Sequence, residues 1–361
     1  MEHISTVLSR TLPDLQRQAR PSVLTDAIAR RPNSLFDLIR RFEVDESREN
    51  EDVVSPLSAL RMTPADTLEV PQLGTFAFTD WSRRQCASLL GCRFDRWFEN
   101  ASPSDRADEM NRRFARSTFS VRLRTTRAGA CEHDDGTLMA FVSPGYSALP
   151  DSQVASLLQI ALSPFETELP VIRVDVTDRS TTYVVAVGKP FKVGGTGEVG
   201  DVWGGLLIRN SGVGFASLLI SLHLTRLLCK NGMVAPLPDA VVLRKRHRFF
   251  DGDKLRDLLA LRLHELPGKL ARGADLLVTA SIRAIPTTPE IEIRELLDRA
   301  DLPRRLAEPI LAAYNREPHP TAFGISQAIT LASQTMTPEV RFDLEQAAGA
   351  YLANRSEGAA S

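Results

Sequence analysis

The chain has 361 residues, 44 Lys plus Arg against 45 Asp plus Glu, with 43% hydrophobic and 25% charged residues. These proportions exclude a wholly disordered chain, and the length suggests about two domains whose buried surface needs no disulfide or metal staple. A formal charge of -1 excludes a uniformly polybasic nucleic-acid binder of the histone kind.

The four cysteines, Cys86, Cys92, Cys131 and Cys229, form no C-x-x-C pair, so reduced thiols and a cytoplasmic location are expected. The N-terminus has no apolar core with a small-residue cleavage site, and no apolar run reaches the roughly 18 residues of a membrane span. Neither secretion nor membrane insertion is expected.

Taken in order, residues 1–42 place Leu24, Ile28, Leu35, Leu38 and Ile39 at helical spacing among Arg30, Arg31, Arg40 and Arg41, which predicts an N-terminal helical segment. Eight acids then crowd residues 43–69 against only Arg48 and Arg61, and residues 43–74 are assigned as an acidic linker. The α+β core is placed at 75–285. In it Thr79 or Asp80 caps a helix over Trp81–Leu90, Gly91 stops it, Arg93–Phe98 starts another turn, and a third helix runs from about Ser104 to Arg116. Helix, glycine and helix superficially resemble a helix-turn-helix reader, but any helical hairpin has that order. Alternation in Phe119-Val121-Leu123, Val171–Val176, Tyr183–Val187 and Val202–Ile208 predicts strands. The implied core is an antiparallel sheet packed on helices, with a helix from about Phe215 to Cys229. A helical C-terminal region at 286–355 follows, with Thr288-Pro289-Glu290 and Thr337-Pro338-Glu339 as matched helix starts. The fold class is α+β.

The usual chemical motifs fail in context. Gly195–Gly200 reads G-x-G-x-x-G, but a strand-like Val202–Ile208 follows where a dinucleotide site needs a helix, so a flexible hairpin loop is expected. His133-Asp134-Asp135 has no second ligand pair and reads as a polar turn. No nucleophile elbow or Walker A sequence occurs, so no catalytic residue, metal or cofactor is assigned. Were the chain an enzyme, Arg226, His247 and Tyr146 are the groups to watch.

Charge distribution says more. Residues 81–127 hold eleven arginines against five acids and residues 226–273 hold eleven Lys or Arg against five acids, each net +6, leaving -13 for the remainder. Guanidinium groups grip phosphates in pairs of hydrogen bonds, and neighbouring aromatic faces can stack on exposed bases. The run Arg244-Lys245-Arg246-His247-Arg248-Phe249, with Arg226, Arg112 and Arg113, is therefore the candidate nucleic-acid-binding set.

Gly204–Met233, GGLLIRNSGVGFASLLISLHLTRLLCKNGM, carries N-S-x-x-G at Asn210, Ser211 and Gly214 and R-x-x-C-x-N-G at Arg226, Cys229, Asn231 and Gly232, with His247 in the basic stretch beyond. In this pattern the chain resembles the DUF932 family of phage- and plasmid-associated proteins, whose activity is unassigned. The likeness extends to Phe141–Asp151 and to Ile325–Ala350, covering roughly residues 75–353. It implies an intracellular protein of mobile-element origin. The residues themselves suggest that Asn210, Gly212 and Gly214 end a strand, that Asn231-Gly232 cap a helix, and that Arg226 and Cys229 share one helix face. The resulting expectation is a single-stranded DNA binder or annealer of the Rad52-like kind, with a homo-oligomer among its open partners. The alternative is a non-catalytic regulatory or structural protein that binds another protein through its C-terminal helices.

Overall fold

The computed structural model describes residues 34–91, 100–127, 136–165, 168–188, 190–192, 201–226, 231–233, 240–248 and 251–357. Ser34 caps helix α1 (Leu35–Glu46) by accepting from Asp37 N at 3.2 Å, and Leu35, Leu38, Ile39 and Phe42 form its buried face.

The acidic stretch that follows is not a linker. It contains strands β1 (Val53–Pro56), β2 (Arg61–Met62) and β3 (Thr67–Val70), and β4 (Gly74–Phe78) comes directly after. Glu43, Glu51 and Glu69 face solvent, Glu49, Asp52 and Asp66 pair with arginines, and Leu57, Leu60, Met62, Leu68 and Val70 are buried between them. Those apolar side chains supply the burial that a solvated linker lacks.

Thr79 then opens α2 (Asp80–Leu89) in a reciprocal capping box with Ser82, and Gly91 at φ +65° ends it, as the sequence predicts. Helix α3 (Pro103–Arg116) starts from Ser102, whose hydroxyl accepts from Asp105 N. The expected turn at Arg93–Phe98 lies outside the described residues. Strands β5 (Ser120–Thr125) and β6 (Gly136–Val142) complete a six-stranded sheet ordered β1-β5-β6-β4-β3-β2, antiparallel except for the β4–β6 pair. Cys86, Ala107, Met110 and Phe114 from α2 and α3 pack on it with Phe76, Val121, Leu123 and Leu138.

After α4 (Asp151–Leu162) comes a second sheet: β7 (Val171–Val176), β8 (Thr181–Ala186), β9 (Phe191–Lys192), β10 (Asp201–Asn210), β11 (Leu218–Arg226), β12 (Asn231–Met233) and β13 (Val241–Lys245). The main order is β12-β11-β10-β8-β7, with β13 also pairing β11 and β9 pairing β10. This corrects the helix expected from Phe215 to Cys229, since Leu218–Arg226 is a strand. The residues show why: Leu218, Ile220, Leu222 and Leu224 lie on one face, and Leu219, Ser221, His223 and Thr225 on the other, a period of two rather than 3.6. Asn231 and Gly232 accordingly sit in β12, opposite Arg226 and Thr225, and cap no helix. Cys229 lies outside the described residues.

The apolar face of this sheet packs on α1, α4 and α5 (Gly252–Leu263) through Leu38, Leu158, Tyr183, Leu206, Ile220 and Leu259. Helix α6 (Leu266–Ile282) falls within the segment assigned to the core, and α7 (Pro289–Arg299), α8 (Ala307–Tyr314), α9 (Ala322–Ser333) and α10 (Pro338–Glu357) form the helical region expected at 286–355. Thr288 makes no side-chain cap bond, so the preset backbone of Pro289 opens α7 without the predicted hydroxyl. Among the described residues no helix is long and apolar enough to cross a membrane.

The second face of the sheet sets Arg173, Asp175, Thr182, Arg209 and Ser221 beside the apolar Val184, Leu207 and Leu219, and α10 lies against it both by ion pairing and through Phe342, which packs on those three apolar residues. Arg173 on β7 holds Glu345 through two hydrogen bonds, Nη2 to Oε2 at 2.8 Å, while Arg341 reaches Asp175 at 3.1 Å. Beside them His223 is 1% exposed, and burial, helped by the Arg173 charge, pushes its imidazole well below the usual histidine range. A folded state that refuses this proton while the unfolded state accepts it loses stability as pH falls through about 6.5. His223→Gln removes that term. Denaturant unfolding at pH 7.5 and 5.5 should therefore show the wild type losing more stability than the variant on acidification, by up to about 1.4 kcal/mol per pH unit; equal losses exclude the assignment.

Candidate functional site

The two basic segments differ in what surrounds them. In the first, Asp66 of the acidic stretch binds both Arg83 and Arg106, the latter at 3.3 Å, while Glu109 takes Arg112 at 2.9 Å and Arg113 at 2.7 Å. Arg113 also donates to Leu90 O at 2.8 Å. Arg122 and Arg124 on β5 face Asp52, and Arg124 additionally holds Glu49. The negative remainder thus folds directly over this segment. Arg112 and Arg113, expected as nucleic-acid contacts, already share a carboxylate, which lowers their value to a phosphate.

In the second, Lys254, Arg256 and Lys269 pair with neighbouring acids, but the run at 244–248 is open. β13 pairs only β11, Lys245 opposite Leu218 and Arg244 opposite Leu219, so it is an edge strand among the described residues. Arg244, Arg246 and Arg248 are exposed and Lys245 is half-buried, and none of the four meets an acid among the described residues. His247 points the other way and is buried. Phe249 lies outside the described residues, and Arg226 stands opposite Val202 near the far end of β11. Eight residues separate it from Leu218, or about 27 Å along a strand. The predicted set is therefore divided: Arg226 lies apart from Arg244–Arg248, and Arg112 and Arg113 belong to α3, which packs on the first sheet.

His247 instead joins a buried polar clasp that unites several of the motif segments. Its ring stacks on Tyr146 with centroids 5.4 Å apart, and its carbonyl accepts from Ser147 N at 3.2 Å. The Tyr146 hydroxyl donates to Ser211 O at 2.7 Å. Ser211 Oγ donates to Arg179 O at 2.7 Å and accepts from Phe215 N at 3.0 Å, closing the β10–β11 turn. Asn210 Nδ2 donates to Leu149 O at 2.8 Å and to Asp151 Oδ1 at 2.7 Å. Gly214 takes φ +77° within the same turn, a backbone state that other residues adopt only with strain. Arg124 reaches across from the first sheet to donate to Gly212 O. Arg124, Glu49 and Asp52 were missed from the sequence, although an acid-rich stretch beside an arginine-bearing strand was the available signal.

The electrostatics of the clasp are those of a scaffold. Burial raises the Asp151, Glu46 and Glu49 carboxyls above their ordinary range, pushes the Tyr146 phenol up to about 12, and lowers the His247 imidazole, which the Arg124 charge lowers further. A histidine held neutral and a phenol this hard to ionise make a poor acid–base pair at neutral pH. With Arg226 at the far end of β11, the three groups named for an enzyme do not assemble. Among the described residues no cluster of His, Cys, Asp or Glu has the form of a metal site. Comparison with protein families, with curated proteins and with solved structures finds no match to this chain.

Removing the central guanidinium tests the clasp. Arg124→Ala leaves Glu49, Asp52 and Gly212 O without their shared donor in a mostly buried setting, and a loss of about 3 kcal/mol is expected in urea unfolding. A loss below about 1 kcal/mol, as for an exposed pair, contradicts it.

Proposed function

We propose that the chain binds single-stranded nucleic acid through Arg244, Lys245, Arg246 and Arg248, in the mobile-element DNA metabolism that the DUF932 resemblance implies, with strand annealing as the activity that binding would serve. One observation carries this reading: these four cations have no acidic partner among the described residues, whereas Asp66, Glu109, Glu49 and Asp52 pair with most arginines of the first basic segment. Unpaired guanidinium groups bind phosphates without first breaking an ion pair. A line of charge along an extended edge strand suits an extended polyanion. Arg112 and Arg113, named with the basic run from the sequence, support the reading less because both are engaged by Glu109.

Fluorescence anisotropy with a labelled oligothymidylate and a matched duplex provides the test. Four phosphate contacts on a single strand give a log–log salt slope near -3, or roughly a 50-fold loss of affinity between about 50 and 200 mM salt. Replacing Arg244, Lys245, Arg246 and Arg248 together by alanine should abolish most of that slope, and the Arg112→Ala/Arg113→Ala pair should change affinity by less than about two-fold. Absence of binding at the lower salt, or a slope indifferent to the four substitutions, refutes the reading. A protein partner is the second reading, favoured by Leu261 on α5 and Ile282 at the end of α6, 69% and 79% exposed. Capture that survives nuclease treatment and is lost in the Leu261→Ser/Ile282→Ser variant would mark that case.

A further inference from the structure

Strand register collects an unusual set of side chains on the polar face of the second sheet. Thr182 lies opposite both Asp175 and Arg209, and Arg173 opposite Val184, so β7, β8 and β10 present Arg173, Asp175, Thr182 and Arg209 together. Arg209 pairs with Leu219, and Leu219 with Arg244, which puts Arg209 and the exposed Arg244 on the same face, two strands or about 10 Å apart. The open basic run therefore continues inward across the sheet.

What lies over this face is α10. Its Glu345 takes Arg173, and the Arg209 guanidinium stacks 4.1 Å above the Phe342 ring, within the attractive field of Asp343 and Glu339. Only Arg341, bound to Asp175, runs against this pattern. Glu345 holds the position that a phosphate oxygen would take against Arg173, while Asp343 and Glu339 act on Arg209 only through their field. Phe342 of the helix matches the apolar Val184, Leu207 and Leu219, but on the same face Ser221 Oγ, both nitrogens of His223, Thr225 Oγ1 and Trp203 Nε1 are buried without hydrogen-bond partners among the described residues. Buried polar groups are nearly always satisfied in their working state, so a row of unmatched ones marks a surface shaped for another occupant.

We propose that the polar face of the second sheet is the inner part of the nucleic-acid site, and that the first half of α10 covers it with its own acids until a strand displaces it. This rests on the reading of Arg244–Arg248 given above. In the open state phosphates replace Glu345 on Arg173 and the Phe342 ring on Arg209, and the hydroxyls and imidazole of β11 face the sugar-phosphate chain.

Hydrogen exchange on the full chain, with and without saturating oligothymidylate, decides it. Amides of residues 338–347 should exchange faster in the complex while those of 241–248 are protected. Equal or slower exchange over 338–347, with binding intact, overturns the cover and leaves the outer site standing; no binding overturns both. Glu339→Gln/Asp343→Asn leaves the buried Glu345 pair in place, so folding is retained. It should bind the oligonucleotide about five-fold tighter, as expected when a closed state loses part of its advantage. An unchanged affinity in this variant also overturns the proposal.

Discussion

A guanidinium group does not lose its proton inside a protein, so wherever one is buried the chain must bring acceptors to it. Arg124 is 8% exposed and imposes that condition on three separate segments. Glu49 and Asp52 come from the stretch before the first sheet, Arg124 itself from β5, and the Gly212 carbonyl from the β10–β11 turn of the second sheet. Asn50 reinforces the same seam by donating to Thr125 Oγ1 at 3.0 Å, and the register of β1 on β5, Val53 opposite Leu123, follows within a few residues. Together with the bonds from Trp81 and Gln85 to Val213 O and the apolar contact of Val142 with Val213, this satisfied cation sets the relative placement of the two sheets and the seating of His247 beneath the basic run.

The same device recurs at other joints. Asp66 links a β-turn to α2 and α3, Glu345 links α10 to β7, and Glu292 on α7 accepts from Tyr351 and Arg355 on α10. Buried ion pairs contribute less net stability than apolar packing of similar size but tolerate little misalignment. Here they stand at the boundaries of apolar clusters that supply the bulk of the burial. Neutrality over the whole chain is thus achieved unevenly. Opposite charges meet across the interfaces, and the cations of 244–248 are left over at an edge.

Much of the architecture is legible in the residues. Thr79, Gly91 and Pro289 mark helix ends where the structure has them, because capping chemistry is local. The acidic stretch misleads because its acids are counted more readily than the alternating Leu68 and Val70 between them. The Leu218–Arg226 strand is hidden by its continuous aliphatic character, although Ser221, His223 and Thr225 at every second position disclose it. The clasp is half visible: Asn210, Ser211 and Gly214 stand out as a motif, and Tyr146 and His247 as single residues. Their meeting is not visible, since residues 124, 146, 210 and 247 are brought together only by strand pairing between distant parts of the chain. Pairings of this kind are set by the packing of whole sheets, which no local pattern encodes.

β13 leaves one row of its backbone donors and acceptors without a strand partner among the described residues. Such an edge is a template on which another extended chain can pair, and proteins commonly guard it with charge. Val241, exposed at the start of the strand, would make that recruitment easier, while Arg244, Lys245 and Arg246 at its end make it harder through mutual repulsion between copies. The basic run therefore has a second consequence independent of any ligand: it helps keep the folded chain from assembling edge to edge. Polyanions that neutralise it would relax that protection, coupling ligand occupancy to the colloidal behaviour of the protein.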